Sequence, residues 1–231
     1  MVSVSRDREW EVLDDELPLL GAHYGSMRVR MTAIGIGGDH LLVVSPGKPR
    51  DEALLDALER RGTPRWLLAP NHFHNEGLGF WKRRYPKIRV AAHPRAHARL
   101  MKKVPELGSI EDLEALRAEL PASIRLFGPP MAKQGETWVA VKTGHGTAWI
   151  VCDGIVNDRK YPWAMWLLGF RPRLMTNPLF KRLFLESKAD YKRWMLGELE
   201  KDPPSLLVPC HGRVERDPDL VEQLRRITNE A

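Results

Sequence analysis

The chain has 231 residues, of which 43% are hydrophobic and 29% charged, with a net charge of +6. This length and apolar content allow one sizeable core, and no linker or low-complexity stretch divides the sequence, so we expect a single domain over residues 1–231. The longest apolar stretch, residues 162–170, is much shorter than the roughly 20 residues of a membrane-spanning helix. The first seven residues lack the apolar core of a signal peptide, and we expect a soluble cytoplasmic protein.

Hydrophobic periodicity and turn residues predict a chain in which strands and helices are mixed. In chain order the pattern predicts strands at 27–34 and 40–45, a helix at 51–61, a strand at 66–69, a helix at 76–84, a strand at 88–92, helices at 94–103 and 110–119, a strand at 123–127, a hairpin of strands at 137–142 and 147–152, a helix at 178–199, a strand at 205–209 and a helix at 218–227. Hairpins without strict βαβ alternation predict an α+β fold of two mixed β-sheets covered by helices.

Three of the predicted strands end in side chains that can bind a metal. The strand at 66–69 leads to His72, His74 and Glu76, the strand at 147–152 leads to Asp153, and the strand at 205–209 leads to His211. Imidazoles and carboxylates are the usual ligands of zinc and iron. The repetition of this design predicts a metal site at one edge of a sheet.

Two cysteines, Cys152 and Cys210, precede the proposed ligands Asp153 and His211. Two cysteines do not define a disulfide framework, so a reduced chain with buried structural thiols is expected. Because neighbouring side chains on a strand point to opposite faces, we also expect Cys152 to point away from whatever Asp153 faces.

The order of these motifs resembles the metallo-β-lactamase superfamily, over about residues 28–226. The resemblance implies an αββα sandwich that binds one or two metals at the sheet edges, with a core over about residues 27–228. It is greatest for an uncharacterised branch of the superfamily with a degenerate metal motif, and it is carried by short matches at residues 30–32, 45–46, 69–71, 81, 85–86, 148–153 and 211–212.

The sequence departs from the family's metal motif, H-x-H-x-D-H. His72 and His74 match its first two histidines, whereas Glu76 stands at the aspartate and Gly77 at the last histidine. The resemblance makes Asp153 the bridging aspartate and His211 the final histidine. Two ligands of a second metal are therefore altered or missing.

The family's third histidine has no clear counterpart. His145 imitates it, but an extended strand advances about 3.3 Å per residue, so the eight steps from His145 to Asp153 span about 26 Å. His145 is therefore expected at the tip of the hairpin, away from the site. The family's ligand would then fall within residues 131–135, where there is no histidine.

The resemblance implies that His72, His74, Asp153 and His211 hold one divalent metal rather than two, with zinc expected and iron or manganese as alternatives. The metal would activate a water that attacks an ester, lactone, thioester or related carbonyl. Glu76 and Asp153 are the expected catalytic carboxylates, with Glu76 orienting the water or accepting its proton.

A second hypothesis is an inactive scaffold of the same fold that binds a small acidic ligand or a protein partner. The missing third histidine and Gly77 favour this hypothesis. Retention of His72 and His74 opposes it, because a dead site gives no physical reason to keep two imidazoles at that spacing.

The excess of positive charge comes from residues 158–193, which contain nine basic and three acidic side chains. As a lid, this basic, aromatic insert (158–195) would place Arg171 and Arg173 over the pocket to bind an anionic group of a small-molecule substrate. As an interface, Trp163, Trp166 and Phe170 would pack against a second subunit in a homodimer. A solvated basic face with aromatics in the core is the third interpretation. Nucleic acid is not expected as a partner, because a basic patch alone gives only non-specific affinity.

Overall fold

The structure is a computed structural model that describes residues 9–14, 17–25 and 28–231. The first seven residues, on which the expectation about a signal peptide rests, and Met27 at the start of the first predicted strand lie outside the described residues. The chain divides into two units, residues 1–122 and residues 123–231. The single domain stays a prediction.

Unit 1 is a mixed sheet with helices in its connections. Its strands are β1 Glu11–Asp14, β2 Leu19–Tyr24, β3 Val29–Gly35, β4 His40–Val44, β5 Thr63–Ala69 and β6 Arg89–Ala92, and its helices are α1 Glu52–Glu59, α2 Leu78–Arg84, α3 Pro94–Lys103 and α4 Leu113–Arg117, with a 3-10 turn at Pro105–Leu107. The strands lie side by side in sequence order. β1 to β4 pair antiparallel, and β4, β5 and β6 pair parallel.

Local signals explain why these elements form. Asp51 caps α1 by accepting a hydrogen bond from the Leu54 backbone at 3.0 Å, and Leu54, Leu55 and Leu58 form the buried face of this predicted helix. Trp66 and Trp81 are fully buried, and each indole N–H finds an acceptor, the latter in the Gly47 carbonyl at 2.7 Å. Because both indole N–H groups are hydrogen-bonded, these large side chains fill the core without the free-energy cost of a buried unpaired donor.

Unit 2 is built around a second mixed sheet. Its strands are β7 Ile124–Phe127, β8 Trp138–Thr143, β9 Gly146–Val151, β10 Ile155–Asn157, β11 Leu174–Thr176 and β12 Pro204–Pro209, and its helices are α5 Trp163–Leu167, α6 Lys188–Lys201 and α7 Leu220–Asn229. The sheet has the order β12-β9-β8-β7, with β12 parallel to β9 and the other pairs antiparallel. β10 and β11 form a separate antiparallel pair.

The predicted helix at 178–199 is wrong as a single element. A π-helical segment at Phe180–Phe184 ends in an extended Leu185, which pairs with Ala132, and α6 begins only after Ser187. The Ser187 hydroxyl accepts a hydrogen bond from the Asp190 backbone at 3.2 Å, which is a helix N-cap. The cap and the strand-like bridge outweigh the continuous apolar stripe in the sequence.

No helix in the part of the chain that the structure describes is long and apolar enough to cross a bilayer.

Candidate metal centre

The loop after β5 buries the two histidines of unit 1. His72 and His74 are 8% and 5% exposed, and Asn71 is fully buried. The Asn71 side chain accepts a hydrogen bond from the Phe73 backbone at 2.8 Å, and the Asn75 amide donates to the His72 carbonyl at 2.9 Å. These side-chain bonds replace backbone pairing, so the irregular loop has a defined conformation.

His74 is held by a side chain from the end of β4. Its Nδ1 lies 2.6 Å from the Ser45 hydroxyl, which in turn lies 3.1 Å from the Tyr24 hydroxyl, and both contacts are buried. A hydroxyl held against one ring nitrogen fixes the orientation of an imidazole, as the outer shell of a metal ligand does. Sequence reasoning missed Ser45, although it directly precedes the Pro46 turn.

Gly77 has a steric reason to be glycine. A Cβ atom here would overlap the backbone of Pro46 and Gly47, and the Gly77 N–H donates to the Pro46 carbonyl at 3.1 Å. The histidine that the family motif has at this position therefore does not fit. Glu76 is exposed, and its carboxylate faces Gly25, where an added Cβ would lie 3.4 Å from Oε2.

Asp153 and His211 meet in unit 2. His211 Nε2 lies 3.0 Å from Asp153 Oδ1, and the two side chains are 24% and 17% exposed, respectively. The contact follows from the register, because β9 and β12 run parallel with Val151 opposite Pro209 and therefore end at the same edge. Two of the three strands predicted to lead to ligands therefore end together, whereas β5 belongs to the sheet of unit 1. The ligand set itself stays a prediction.

Glu136, just before β8, supports the Asp153 turn, and sequence reasoning missed it. It is 2% exposed, and its Oε1 accepts hydrogen bonds from the Gly154 backbone at 2.6 Å and the Trp138 indole at 2.7 Å. Its Oε2 accepts from Gln134 Nε2 at 3.1 Å. The sequence did contain a sign of this role. Glu136 is an acidic residue between the stretch 131–135, which lacks the family's histidine, and the predicted strand at 137–142.

Gln134 lies in the stretch where the resemblance expects a third histidine. It is fully buried, and its Oε1 has no hydrogen-bond partner among the described residues. A buried amide oxygen without a partner is costly unless a polar group satisfies it. An ion or a water beside this amide fits that requirement.

Cys152 lies closer to Asp153 than strand alternation predicts. One donor atom each of Glu136, Cys152 and Asp153 lies within 4.8 Å of the others, which can hold a cation. The expectation that Cys152 points away from the Asp153 side is wrong, because β9 ends at Val151 and alternation does not continue into the turn. Among the described residues, no such group of three includes His72 or Glu76.

The two thiols form no disulfide and are buried, as predicted, and their sulfur atoms lie within 4.8 Å of each other. Burial raises the pKa of the Cys152 thiol well above its ordinary value, and a hydrogen bond with Cys210 raises it further. Without a cation nearby, Cys152 is therefore an uncharged thiol at neutral pH.

Arg171 and Arg173 are exposed and already engaged. Arg171 Nη1 donates to the Trp166 and Phe170 carbonyls at 2.9 and 2.7 Å, and Arg173 pairs with Glu230 at 2.9 Å. They line a cavity of about 150 Å³ together with Lys181 and Arg182. Burial, followed by the charges of Lys188 and Arg182, lowers the pKa of Lys181.

Two further expectations have clear outcomes. His145 is exposed at the turn between β8 and β9, as predicted, at the opposite end of β9 from Asp153. Phe170 is buried against Val156 and Met175, so it is not available to a second subunit as the interface interpretation requires.

Comparisons with known proteins identify the fold. No protein-family model matches the sequence, and no curated protein matches it. The metallo-β-lactamase DIM-1 is similar in structure with a TM-score of 0.62 and 12% sequence identity, covering 96% of both chains. A metallo-β-lactamase from Erythrobacter litoralis with β-mercaptoethanol in its active site has a TM-score of 0.59, 13% identity and 96% coverage of both chains. The metallo-β-lactamase FIM-1 from Pseudomonas aeruginosa, in a mono-zinc form, has a TM-score of 0.58 and 11% identity, covering 96% of this chain and 94% of that one.

The predicted fold class is therefore confirmed: two mixed sheets flanked by helices, in the metallo-β-lactamase fold. At this level of identity the likeness concerns the fold, and the chemistry has to be argued from the residues.

Proposed function

We propose that this chain, which has the metallo-β-lactamase fold, is a metal-dependent hydrolase of an ester, lactone, thioester or related carbonyl substrate. The observation that carries the proposal is the contact of Asp153 with His211 at 3.0 Å. A carboxylate and an imidazole paired at one sheet edge, both partly exposed, can release each other to share a cation that solvent and substrate reach.

The proposed ligands are His72, His74, Asp153 and His211, with one divalent ion, zinc before iron or manganese. The donor set fits such an ion, because imidazole and carboxylate groups suit all three metals. The Ser45 contact supports His74 in particular, since it engages Nδ1, and Nε2 would then be the atom that binds the ion. His72 is the fourth ligand on the strength of the motif alone.

A bound divalent ion would supply Lewis acidity, which lowers the pKa of a water and polarises a substrate carbonyl. Asp153 would hold the ion and accept a hydrogen bond from the attacking water. Glu76 would accept the proton of that water. Its side chain is exposed and would have to turn toward the water to do so. Glu136 acts as a positioning residue, because its bond to the Gly154 backbone fixes the turn that carries Asp153.

Arg171 and Arg173 would bind an anionic group on the substrate. The cavity that they line, of about 150 Å³, is rimmed by four basic side chains and one acidic residue, Glu230. An incoming carboxylate or phosphate would compete with Glu230 for Arg173. Replacement of Arg173 by alanine should therefore raise KM for an anionic substrate and leave KM for a neutral one unchanged.

Metal analysis tests the ligand set. We expect one equivalent of divalent metal in protein purified without added metal, and substoichiometric metal in His74→Ala, Asp153→Ala and His211→Ala. His145→Ala is the matched control, because this exposed histidine lies at the hairpin turn. Loss of metal in His72→Ala would make His72 the fourth ligand, and retained metal would limit it to packing in the loop. Wild-type protein without metal, or variants that all retain it, would refute the site.

A substrate panel then tests the activity. Esters, lactones and thioesters are supplied to the metal-loaded protein, to the chelated protein and to the reloaded protein. Hydrolysis that chelation abolishes and reloading restores supports the proposal. A loaded protein that binds an acidic ligand but hydrolyses none of the three classes supports the inactive scaffold instead.

A further inference from the structure

Helix α5 exposes large apolar side chains instead of burying them. Trp163 and Leu167 are 78% and 76% exposed, and Trp166 and Leu168 are 47% and 40% exposed. None of the five residues of α5 is buried. Trp163, Trp166 and Leu167 lie three and four positions apart and so share one face of the helix. With Leu168 they are called the α5 patch below, and exposed apolar side chains grouped in this way mark contact sites.

The patch has a fixed base. Phe170, just after α5, is buried with Val156 and Met175, and Tyr161 and Met165 pack against that cluster. The backbone of α5 therefore stays anchored on unit 2 while its outer face projects into solvent. A surface that the protein holds rigidly in this way needs little ordering when it binds.

Positive charge surrounds the patch. Arg171 donates to the Trp166 carbonyl at 2.9 Å with its guanidinium carbon 5.3 Å from the Trp166 ring, and Arg182 donates to the Leu168 carbonyl at 2.9 Å. Residues 159–173 contain four basic side chains and no acidic one. Asp158, just before this stretch, uses its carboxylate on the Arg159 backbone at 2.7 Å.

We propose that the α5 patch docks on an anionic lipid surface, with Trp163 and Leu167 in the interface and the basic side chains on the headgroups. Tryptophan and leucine beside lysine and arginine form the composition of helices that lie in a membrane interface. Lysine and arginine next to the membrane gain from the negative surface potential of anionic lipids.

A protein partner fits the patch less well than a lipid surface. A stable protein interface buries about 800 Å² on each partner and excludes charge from its centre. A helix of five residues is only about 8 Å long, and its apolar residues are edged by guanidinium groups. A lipid surface needs no complementary area of that size, and its anionic headgroups supply the countercharge for the guanidinium groups.

Vesicle sedimentation with the full chain tests the proposal, and its readout depends on neither bound metal nor hydrolytic activity. We expect the protein to pellet with phosphatidylcholine vesicles that contain phosphatidylserine, and to stay in solution with phosphatidylcholine alone. The double variant Trp163→Ser/Leu167→Ser should reduce the partition coefficient by roughly tenfold or more, since two large side chains no longer leave water. Val12→Ser, which changes another partly exposed apolar residue, should bind as the wild type does.

Charge reversal provides a second measurement. Arg159→Glu/Lys160→Glu should weaken binding to the phosphatidylserine vesicles and remove most of its salt dependence. Absence of pelleting with both vesicle types, or unchanged binding by the tryptophan–leucine double variant, would overturn the proposal. The patch would instead bind a second copy of the chain if light scattering shows that the wild type is a dimer, that the tryptophan–leucine double variant is a monomer, and if neither protein binds vesicles.

Discussion

Asp153 and His211 are separated by 58 residues, yet their side chains touch at 3.0 Å. Parallel pairing of β9 and β12 brings the two strand ends to one edge. His211 is then fixed by the Gly212 turn, where φ is +101° and a Cβ would overlap the Asn157 backbone. The His211 carbonyl also accepts the Asn157 N–H at 3.1 Å. Backbone contacts therefore place His211 beside the end of β9.

The Ser45–His74 contact predicts an effect on metal affinity. Ser45→Ala removes the hydroxyl that lies 2.6 Å from Nδ1, so the imidazole loses the contact that fixes its orientation. We expect the dissociation constant for zinc to rise roughly tenfold or more, as for other outer-shell changes. Competition with a chromophoric chelator measures this constant.

Ser205→Ala is the matched control for that substitution. The Ser205 hydroxyl donates to the His145 carbonyl at the hairpin turn, so its loss should leave zinc affinity unchanged. Circular dichroism checks that both variants are folded. Equal affinities in the two variants would mean that Ser45 does not position a ligand.

Gly77 predicts a loss of stability when a methyl group is added. Gly77→Ala places a Cβ on the Pro46 and Gly47 backbone, which cannot move aside as a flexible side chain can. We expect the free energy of unfolding to fall by about 2 kcal/mol or more in urea titrations. Gly197→Ala is the control, since nothing lies within 4 Å of its Cβ in α6, and it should stabilise the protein by about 0.5–1 kcal/mol. If Gly77→Ala were as stable as the wild type, steric overlap would not explain why glycine replaces the last histidine of the motif.

The sequence predicts most of the fold where apolar residues are periodic over a long stretch. The strands beside the ligand loops were found because their apolar runs end in turns. β2 was missed because Gly21, which packs against Arg30, interrupts its pattern. β10 and β11 were missed because three residues are too short for any period to be visible.

The candidate site was predictable at the strand ends and not beyond them. Asp153 and His211 were found because each follows an apolar run that ends in a possible ligand. The parallel pairing of β9 with β12, which brings them together, was not predicted. Ser45 lies in one of the matched segments, but its role and that of Glu136 in supporting other residues are visible only in the folded contacts. The orientation of Cys152 was mispredicted because the exact end of β9 decides it, and strand boundaries are the least predictable feature of a sequence.

Glu136 predicts a combined effect on stability and on the site. Glu136→Ala leaves the Trp138 indole N–H and the Gly154 N–H without their acceptor in a buried region. We expect the free energy of unfolding to fall by about 2–4 kcal/mol, measured in urea. Glu136→Gln keeps one acceptor oxygen and should lose less.

Metal binding separates the two parts of the effect. We expect Glu136→Gln to fold and to bind zinc more weakly than the wild type. A neutral amide oxygen accepts the Gly154 N–H less strongly than a carboxylate does, so the turn that carries Asp153 is held less firmly. Glu200→Ala, an exposed glutamate of α6, should change neither quantity. Wild-type zinc affinity in Glu136→Gln would limit Glu136 to a structural role.

Asp202 predicts how stability depends on pH. Burial opposes ionisation of Asp202, but hydrogen bonds from Lys142 and Thr147 outweigh it, so the pKa is lowered below its ordinary value of 3.8. A lowered pKa gives stability that is present above the unfolded-state pKa and is lost as the pH falls through the folded-state pKa. Asp202→Asn should therefore destabilise the protein by about 2 kcal/mol at neutral pH, and the difference from wild type should shrink below the ordinary carboxyl pKa. Urea titrations at several pH values measure it, with exposed Asp56→Asn as the control. A difference that is constant with pH would show that the charge of Asp202 contributes nothing and that only its shape and hydrogen bonds matter.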